Sequence, residues 1–312
     1  MKKLIVLLLA LTMVGAAFAQ DAKPALTFGL YGDAVANLYD STSATTGSWS
    51  ALYSETYFNY KAKDMGFSAT TIGSADFFAK VRNWSFYYNV GPVKMLIGKL
   101  RETGGARLTS YIDGNGFSTR MANVDNGVEL TGTVSGLTAS VFVPFGNDDQ
   151  TVPVDQTYKV AAGLAYAVPN VVTVVGGYRM ANKEAWVGAD VKAVKGLVAR
   201  LGYKNVAGTT NYLYATAGSS SLVKGLDLGL DANVNLTAST FGVEAKVEKA
   251  FDPYAIGLVA SYDNGDGWYK YNGFYVNPYV QMNFAAGDVI LGVTYDFASG
   301  DIAIPLECEI SF

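Results

Sequence analysis

Hydrophobic and polar residues alternate along almost the whole chain from residue 25 onward. In the stretch LTFGLYGDAVANLY, residues 26–39, apolar side chains fall mostly two positions apart and polar ones lie between them. A side-chain period of two is typical of a β-strand whose two faces differ. Segments of this kind recur between turn residues, and no long segment has the period of a helix. The pattern therefore predicts an all-β chain.

The alternation predicts up to eighteen strands. They cover residues 26–38, 52–61, 66–71, 77–89, 93–100, 124–134, 137–145, 157–168, 172–181, 184–193, 197–204, 210–217, 225–236, 239–249, 254–262, 273–284, 288–297 and 302–312. The segment 66–71 is short and its neighbours alternate less cleanly, so a count of sixteen stays open. One hairpin is specified in detail, because VELTGTVSGLTASVFVPF turns at Ser135 and Gly136 with Val134 opposite Leu137.

Composition indicates where such strands would be stable. Half of the residues are hydrophobic and only 16% are charged, yet after the first twenty residues no apolar run approaches the roughly 20 residues of a membrane-spanning helix. Only helices and closed barrels satisfy every backbone group within a membrane. We therefore expect a transmembrane antiparallel β-barrel of 16 to 18 strands. Either count is even, which places both termini on one side, expected to be the periplasmic side.

Connection lengths favour the same architecture. With periplasmic termini, the outer connections include the ranges 39–51, 101–123, 146–156, 205–209 and 263–272. The inner ones are mostly turns of two or three residues, such as Gly91 and Pro92. Long and short connections alternate in this way in outer-membrane barrels.

The N-terminus predicts export. Residues 1–19 have Lys2 and Lys3, an apolar run over 4–14 and small residues at the end, as a secretory signal peptide does. The barrel is then expected over 20–312. Removal of the two lysines leaves 21 basic against 27 acidic residues, a formal charge of −6. This charge argues against a nucleic-acid partner.

The chain ends in IAIPLECEISF, a strand with apolar residues at alternate positions and an aromatic residue at the end. In this it resembles the bacterial outer-membrane β-barrel proteins, whose last strand carries such a motif for the barrel assembly machinery. The matching residues are Ile304, Leu306, Cys308, Ile310 and Phe312. Within that family the chain is most similar to a general porin. The resemblance implies an outer-membrane location, contact with outer-membrane lipid and with the assembly machinery, and a homotrimer as a candidate assembly.

The resemblance to general porins also implies that a long loop folds into the lumen and narrows it. The range 101–123 is the longest outer connection and is therefore the candidate constriction loop, with a solvated surface loop as the alternative. Its charged residues are Arg101, Glu102, Arg107, Asp113 and Arg120.

Strand alternation places many charged residues on the inner face, and Asp190 should lie opposite Arg200 across a three-residue turn. The predicted pore-lining residues are Asp33, Arg179, Asp190, Lys192, Arg200, Asp227, Asp231, Asp296, Glu307 and Glu309. Basic residues outnumber acidic ones over 75–205, and acidic residues dominate 206–312. Opposite signs on facing walls would create a transverse field that favours small polar solutes. The alternative is that the charges only hydrate the wall.

Candidate chemistry is sparse. The chain contains no histidine, whereas the enzymes among the outer-membrane barrels that it resembles use a histidine as the general base or as its partner. It also has no motif with the spacing of a metal-binding or phosphate-binding site. We therefore expect no enzymatic activity, no cofactor and no metal. The favoured function is a porin for passive diffusion of small hydrophilic solutes or ions. The alternative is a non-conducting barrel that displays outer loops, as an adhesin or structural protein does.

Overall fold

The computed structural model describes residues 24–42, 45–74, 77–101, 108–112, 123–146, 158–265 and 273–311. They form one antiparallel sheet that closes on itself. Its strands are β1 (Ala25–Asp40), β2 (Thr45–Lys61), β3 (Met65–Ser74), β4 (Phe77–Val90), β5 (Val93–Arg101), β6 (Asn123–Val134), β7 (Leu137–Pro144), β8 (Ala161–Val168), β9 (Val172–Arg179), β10 (Glu184–Val191), β11 (Val198–Val206), β12 (Thr210–Ser219), β13 (Leu226–Asn235), β14 (Thr240–Phe251), β15 (Tyr254–Asp263), β16 (Gly273–Phe284), β17 (Gly287–Gly292 and Thr294–Asp296) and β18 (Asp301–Ser311).

The two segments of β17 are one strand interrupted at Val293, because both pair with β16 on one side and β18 on the other. The barrel therefore has eighteen strands, the upper of the two predicted counts. The segment 66–71 belongs to the full strand β3, which pairs with β2 and β4. Within the described residues, no helix is long and apolar enough to cross a membrane.

The barrel closes through pairing of β1 with β18. Ala34 lies opposite Cys308, and Asp33 lies opposite Glu309, in an antiparallel ladder that runs from Tyr31 to Asp40. Along this ladder, closure leaves no backbone groups unpaired at a sheet edge, as a sheet inside a lipid bilayer requires. Because the strand number is even, the two described ends of the chain lie at the same end of the barrel.

The predicted hairpin of β6 and β7 is confirmed. Val134 pairs with Leu137, and two hydroxyl pairs bridge the strands on the other face, Thr131 with Ser140 and Thr133 with Thr138, each at 2.9 Å. Ser135 and Gly136 have φ angles of 48° and 81°. Positive φ at both central residues is the geometry of the tightest hairpin turn, which matches the twist of the flanking strands.

The prediction of an outer connection over 39–51 is wrong. β1 extends to Asp40 and β2 starts at Thr45, so most of this range is strand and pairs in the ladder of β1 and β2. The Ser, Thr and Gly residues of this range favour a loop. In the structure, the backbone ladder of β1 and β2 holds them in strands, and such a ladder does not require an apolar face. The longest connections that remain span 102–122, 145–160 and 264–272, and all three join strands at the same end of the barrel.

The outer face is apolar and the inner face is largely polar. Leu164 on β8 is 56% exposed on the outside, and Leu130 on β6 and Val141 on β7 are exposed there as well. Between such positions the inner face carries buried polar side chains, including Glu129 and Ser140 on these strands. A continuous apolar surface of this extent is stable only against lipid, so the barrel is of the transmembrane kind.

Candidate functional site

A short piece of the longest connection lies inside the barrel. Residues 108–112 belong to the connection between β5 and β6, yet they contact side chains of β11, β12 and β13. These strands lie five or more positions around the barrel from β6. The segment therefore crosses the interior and docks on a distant part of the wall. We name the docked residues and their wall contacts the loop latch.

Asp231 on β13 is the centre of the loop latch. Its two carboxylate oxygens accept hydrogen bonds from consecutive backbone N–H groups, those of Tyr111 and Ile112, each at 3.0 Å. Thr216 on β12 donates its hydroxyl hydrogen to the same carboxylate and accepts from the Tyr111 N–H at 2.9 Å. Asp231 is only 2% exposed, so these bonds replace the water that a buried carboxylate needs.

The side chain of Tyr111 extends the loop latch to a second carboxylate. Its hydroxyl donates to Asp227 Oδ1 at 2.5 Å, and Lys246 contacts the other oxygen of Asp227 at 3.0 Å. Burial, and then Asp227, raise the pKa of Tyr111 to about 12. The hydroxyl therefore stays protonated at neutral pH and remains a donor. Lys246 also contacts Glu248 at 3.2 Å, which continues the network along β14.

Two glycines make room for the docked segment. A Cβ at Gly218 on β12 would lie 2.3 Å from Cδ1 of Tyr111, and one at Gly229 on β13 would lie 2.9 Å from Cγ1 of Ile112. Real Cβ atoms do not approach other atoms so closely. The Tyr111 ring therefore lies flat on a piece of wall that has no side chains.

Part of the interior is apolar, which alternation of polar and apolar faces did not lead us to expect. Leu108 of the connection packs in a buried cluster with wall residues of the strands from β5 to β12. The members are Leu100, Leu108, Phe142, Ala161, Ala165, Val175, Trp186 and Tyr214. Wall residues such as Phe142 occupy inner positions in strands whose outer face is also apolar. The cluster anchors the docked segment on this side of the barrel, where it excludes water.

The predicted charge pair of β10 and β11 is in register. Asp190 lies directly opposite Arg200, and the Arg200 Nε is 3.5 Å from an Asp190 oxygen. Arg200 also donates to the Thr109 carbonyl oxygen at 2.8 Å, so it is part of the loop latch. Lys192 lies one residue beyond the end of β10, 3.9 Å from Asp190, and is half exposed in the turn rather than within the strand.

The other predicted pore-lining residues occupy inner positions on several strands. They are Arg179 on β9, Asp227 and Asp231 on β13, Asp296 on β17, Glu307 and Glu309 on β18, and Asp33 on β1. The structure brings Asp33 and Glu309 together, and it gathers Asp227 and Asp231 at the loop latch. Arg179 and Asp296 lie apart from both groups.

Several predicted residues cannot be placed. Glu102, Arg107, Asp113 and Arg120 of the candidate constriction loop lie outside the described residues, and Arg101 is described only as the last residue of β5. In the terminal motif, Ile304, Leu306, Cys308 and Ile310 alternate with the inner residues of β18 and so share the outer face. Phe312 lies outside the described part of the chain.

Sequence reasoning missed Tyr111, Thr216 and the two glycines, since nothing local links residues about a hundred positions apart. It also missed an inner ion pair between Arg82 on β4 and Glu55 on β2, whose carboxylate accepts from the hydroxyls of Tyr53 and Tyr57. Alternation along YSETY does put Tyr53, Glu55 and Tyr57 on one face, so part of this group was accessible from sequence.

Comparison with known proteins gives a match of fold only. No protein-family model matches the chain, and no curated protein matches its sequence. Among solved structures, the chain is similar to OpdL of Pseudomonas aeruginosa, with a TM-score of 0.63 at 9% identity over 93% of this chain and 98% of that one. OccK10 (OpdN) of the same organism gives 0.63 at 10% identity, over 92% and 99%.

A mutant of the Rh. blastica porin gives a TM-score of 0.54 at 13% identity, over 92% of this chain and all of that one. At sequence identities this low, the structural similarity shows the architecture of the chain and says nothing about the solutes that it binds or passes. The class of fold is indicated by the closed sheet, by the number of its strands, by the apolar outer face and by these structural neighbours. By its fold, the chain is a porin-like transmembrane β-barrel of eighteen antiparallel strands.

Proposed function

We propose that the chain is an outer-membrane porin that forms a water-filled channel for passive diffusion of small hydrophilic solutes or ions. The observation that carries the proposal is a charged inner wall inside a closed barrel of eighteen strands. Barrels of 16 to 18 strands leave an aqueous channel unless a plug fills them. Buried carboxylates and ion pairs such as Asp190 with Arg200 suit a hydrated interior.

The loop latch supports the same function. Asp231, Thr216 and Arg200 hold a segment inside the barrel, and this segment narrows the interior. It does not fill the interior as a separate plug domain would. Because the longest connection turns inward at 108–112, less of it is available for display outside the cell. This favours a channel over a barrel that only presents loops.

The biological setting follows as part of the proposal. Residues 1–19 direct export, and residues 20–312 form the barrel in the bacterial outer membrane with both termini in the periplasm. The terminal motif that ends in Phe312 is read by the barrel assembly machinery, and the folded barrels associate as homotrimers. No reaction is assigned, since the chain has no histidine to act as a general base.

Conductance of the refolded mature chain in a planar bilayer tests the channel. Folding is verified first, as a shift in gel mobility between unheated and boiled protein. Discrete current steps from folded protein are the expected result. Folded barrels that give no steps would contradict the channel and favour the display barrel, which would then be tested for binding to host matrix.

A further inference from the structure

Three carboxylates stand side by side where the barrel closes. Asp33 on β1 lies directly opposite Glu309 on β18, and Glu309 lies directly opposite Asp288 on β17. We call these three residues the acidic row. Like charges directly opposite each other destabilise a strand pair. Natural sequences depart from such rules mainly at functional sites. Here the departure lies at the seam, which is the pairing of β1 with β18 that closes the barrel.

The strands that carry the acidic row supply no basic residue to offset this charge. Strands β15 to β18 and β1 contain no lysine or arginine. They contain the acidic residues Asp33, Asp40, Asp263, Asp288, Asp296, Asp301, Glu307 and Glu309. In the described part of the chain the acidic row forms no ion pair. Its polar contacts are neutral, namely Tyr31 with Glu309, and Gln281 Nε2 with Asp288 at 3.0 Å.

Three acidic residues elsewhere on the inner wall do have basic partners. Asp190 pairs with Arg200, Asp227 pairs with Lys246, and Glu55 pairs with Arg82. The negative charge of these three carboxylates is therefore neutralised by the protein itself. Along the acidic row, mobile cations must supply the counter-charge.

The docked segment and the apolar cluster lie on the neutralised side. Residues 108–112 bond to β11, β12 and β13, and Leu108 joins the cluster formed by strands β5 to β12. Water and ions are excluded from that side by apolar packing. Solutes in the channel are thereby brought toward the wall that carries the acidic row.

Two aromatic rings flank the acidic row. Tyr53 on β2 lies directly opposite Asp33, and Tyr31 lies two residues before Asp33 on the same face. Their ring centroids are 6.4 Å apart. A ring face attracts ammonium groups, and a carboxylate beside it adds charge attraction. This combination suits organic cations better than neutral solutes of the same size.

We propose that the acidic row makes the channel cation-selective and favours small organic ammonium ions over neutral and anionic solutes of equal size. The proposal rests on the channel function proposed above. It assigns Asp33, Glu309 and Asp288 as specificity-determining residues on the path.

The first test is the reversal potential of the mature protein in a planar bilayer under a KCl gradient. The wild type should be cation-selective, and Asp33→Asn with Glu309→Gln should lower the ratio of K⁺ to Cl⁻ permeability by about half or more. The matched control, Asp64→Asn with Asp252→Asn, removes the same net charge from exposed turns. It should leave the ratio near the wild-type value.

Each outcome has a separate meaning. Folded wild-type barrels without current steps would refute the channel itself. A conducting wild type without cation preference, or equal shifts in the seam variant and the turn variant, would overturn the proposed role of the acidic row while leaving the channel in place.

The salt dependence of selectivity can be measured on the wild type alone. The cation selectivity should weaken between 0.1 M and 1 M KCl, because the screening length falls from about 10 Å to about 3 Å.

The preference for organic cations is tested with tetramethylammonium chloride in place of KCl. The wild type should remain cation-selective with this ion. Tyr31→Leu should lower the permeability of tetramethylammonium relative to K⁺, whereas Tyr31→Phe, which keeps the ring, should not. Exclusion of tetramethylammonium by a channel that passes K⁺ would overturn this part of the proposal.

Discussion

Asp231 shows how much one side chain can organise in this barrel. Its position on the inner face follows from strand alternation alone, but its role does not. Both oxygens of the Asp231 carboxylate accept hydrogen bonds from backbone N–H groups. Asp231 therefore binds residues 111 and 112 of the loop rather than a solute. A residue predicted to line the pore is thus also a positioning residue for the loop.

Asp231→Ala should release the docked segment. Each hydrogen bond to a charged group contributes about 1.5–3 kcal/mol, so loss of the carboxylate weakens the loop latch severely. We expect channels with larger and noisier conductance, and faster proteolysis within the connection 102–122. Asp231→Asn, which retains one acceptor oxygen, should give an intermediate effect. Wild-type conductance and proteolysis in Asp231→Ala would show that the loop latch does not hold the segment.

Gly218→Ala should also displace the docked segment, by steric overlap and without any change of charge. The new methyl group would overlap the Tyr111 ring, whose nearest atom is 2.3 Å from the Cβ position. Gly32→Ala on β1 is the matched control, because no atom lies within 4 Å of its Cβ position. The measurement is single-channel conductance of both variants. Equal conductance in the two would mean that the Tyr111 ring is not held against Gly218.

Strand β18 has two faces that meet different solvents. Cys308 and Ile310 face outward between inward-facing Glu307 and Glu309. The same alternation recurs on its partners β1 and β17, because register fixes which face each residue takes. The terminal motif is therefore an ordinary outer face as well as a proposed assembly signal.

Cys308→Arg should destabilise the barrel, since a basic side chain on the lipid face costs from about 0–1 kcal/mol near the interfaces to about 2–4 kcal/mol at the bilayer midplane. Cys308→Ser changes the side chain without adding charge and should cost much less. The measurement is the denaturant midpoint of folded barrel in lipid vesicles. Equal midpoints for the two variants would mean that residue 308 does not face lipid.

Closure is the property of the whole molecule on which the fold depends. The native chain has one cysteine, Cys308, and its register partner across the closing pair is Ala34. Paired residues of an antiparallel ladder have Cα atoms about 4.5–5.5 Å apart, within the range that a disulfide bridges.

Ala34→Cys should therefore form a disulfide with Cys308 in the oxidised, folded protein and link β1 to β18. Ala36→Cys is the matched control, since its partner is Leu306 and it should link poorly. The bond is detected by mass spectrometry and by the loss of two free thiols. Efficient linkage in the control but not in Ala34→Cys would mean that the closing register is shifted by two residues.

The interior of the whole barrel is divided in a way that no single strand predicts. Apolar packing and the docked segment occupy the side built by β5 to β13, and the acidic row lies on the side built by β15 to β18 and β1. The predicted difference in charge between the two parts of the chain is consistent with this division. The proposed cation preference depends on the division rather than on net charge.

Local patterns in the sequence predict the all-β class, the barrel, the hairpin at Ser135 and the opposition of Asp190 to Arg200. These follow from a period of two and from tight turns, which act between residues close along the chain. The folded barrel alone shows that eighteen strands close, that Asp33 meets Glu309 and Asp288, and that Tyr111 docks on Asp231. Those contacts join residues from about twenty to nearly three hundred positions apart, and they depend on registers added up around the barrel, which no local pattern encodes.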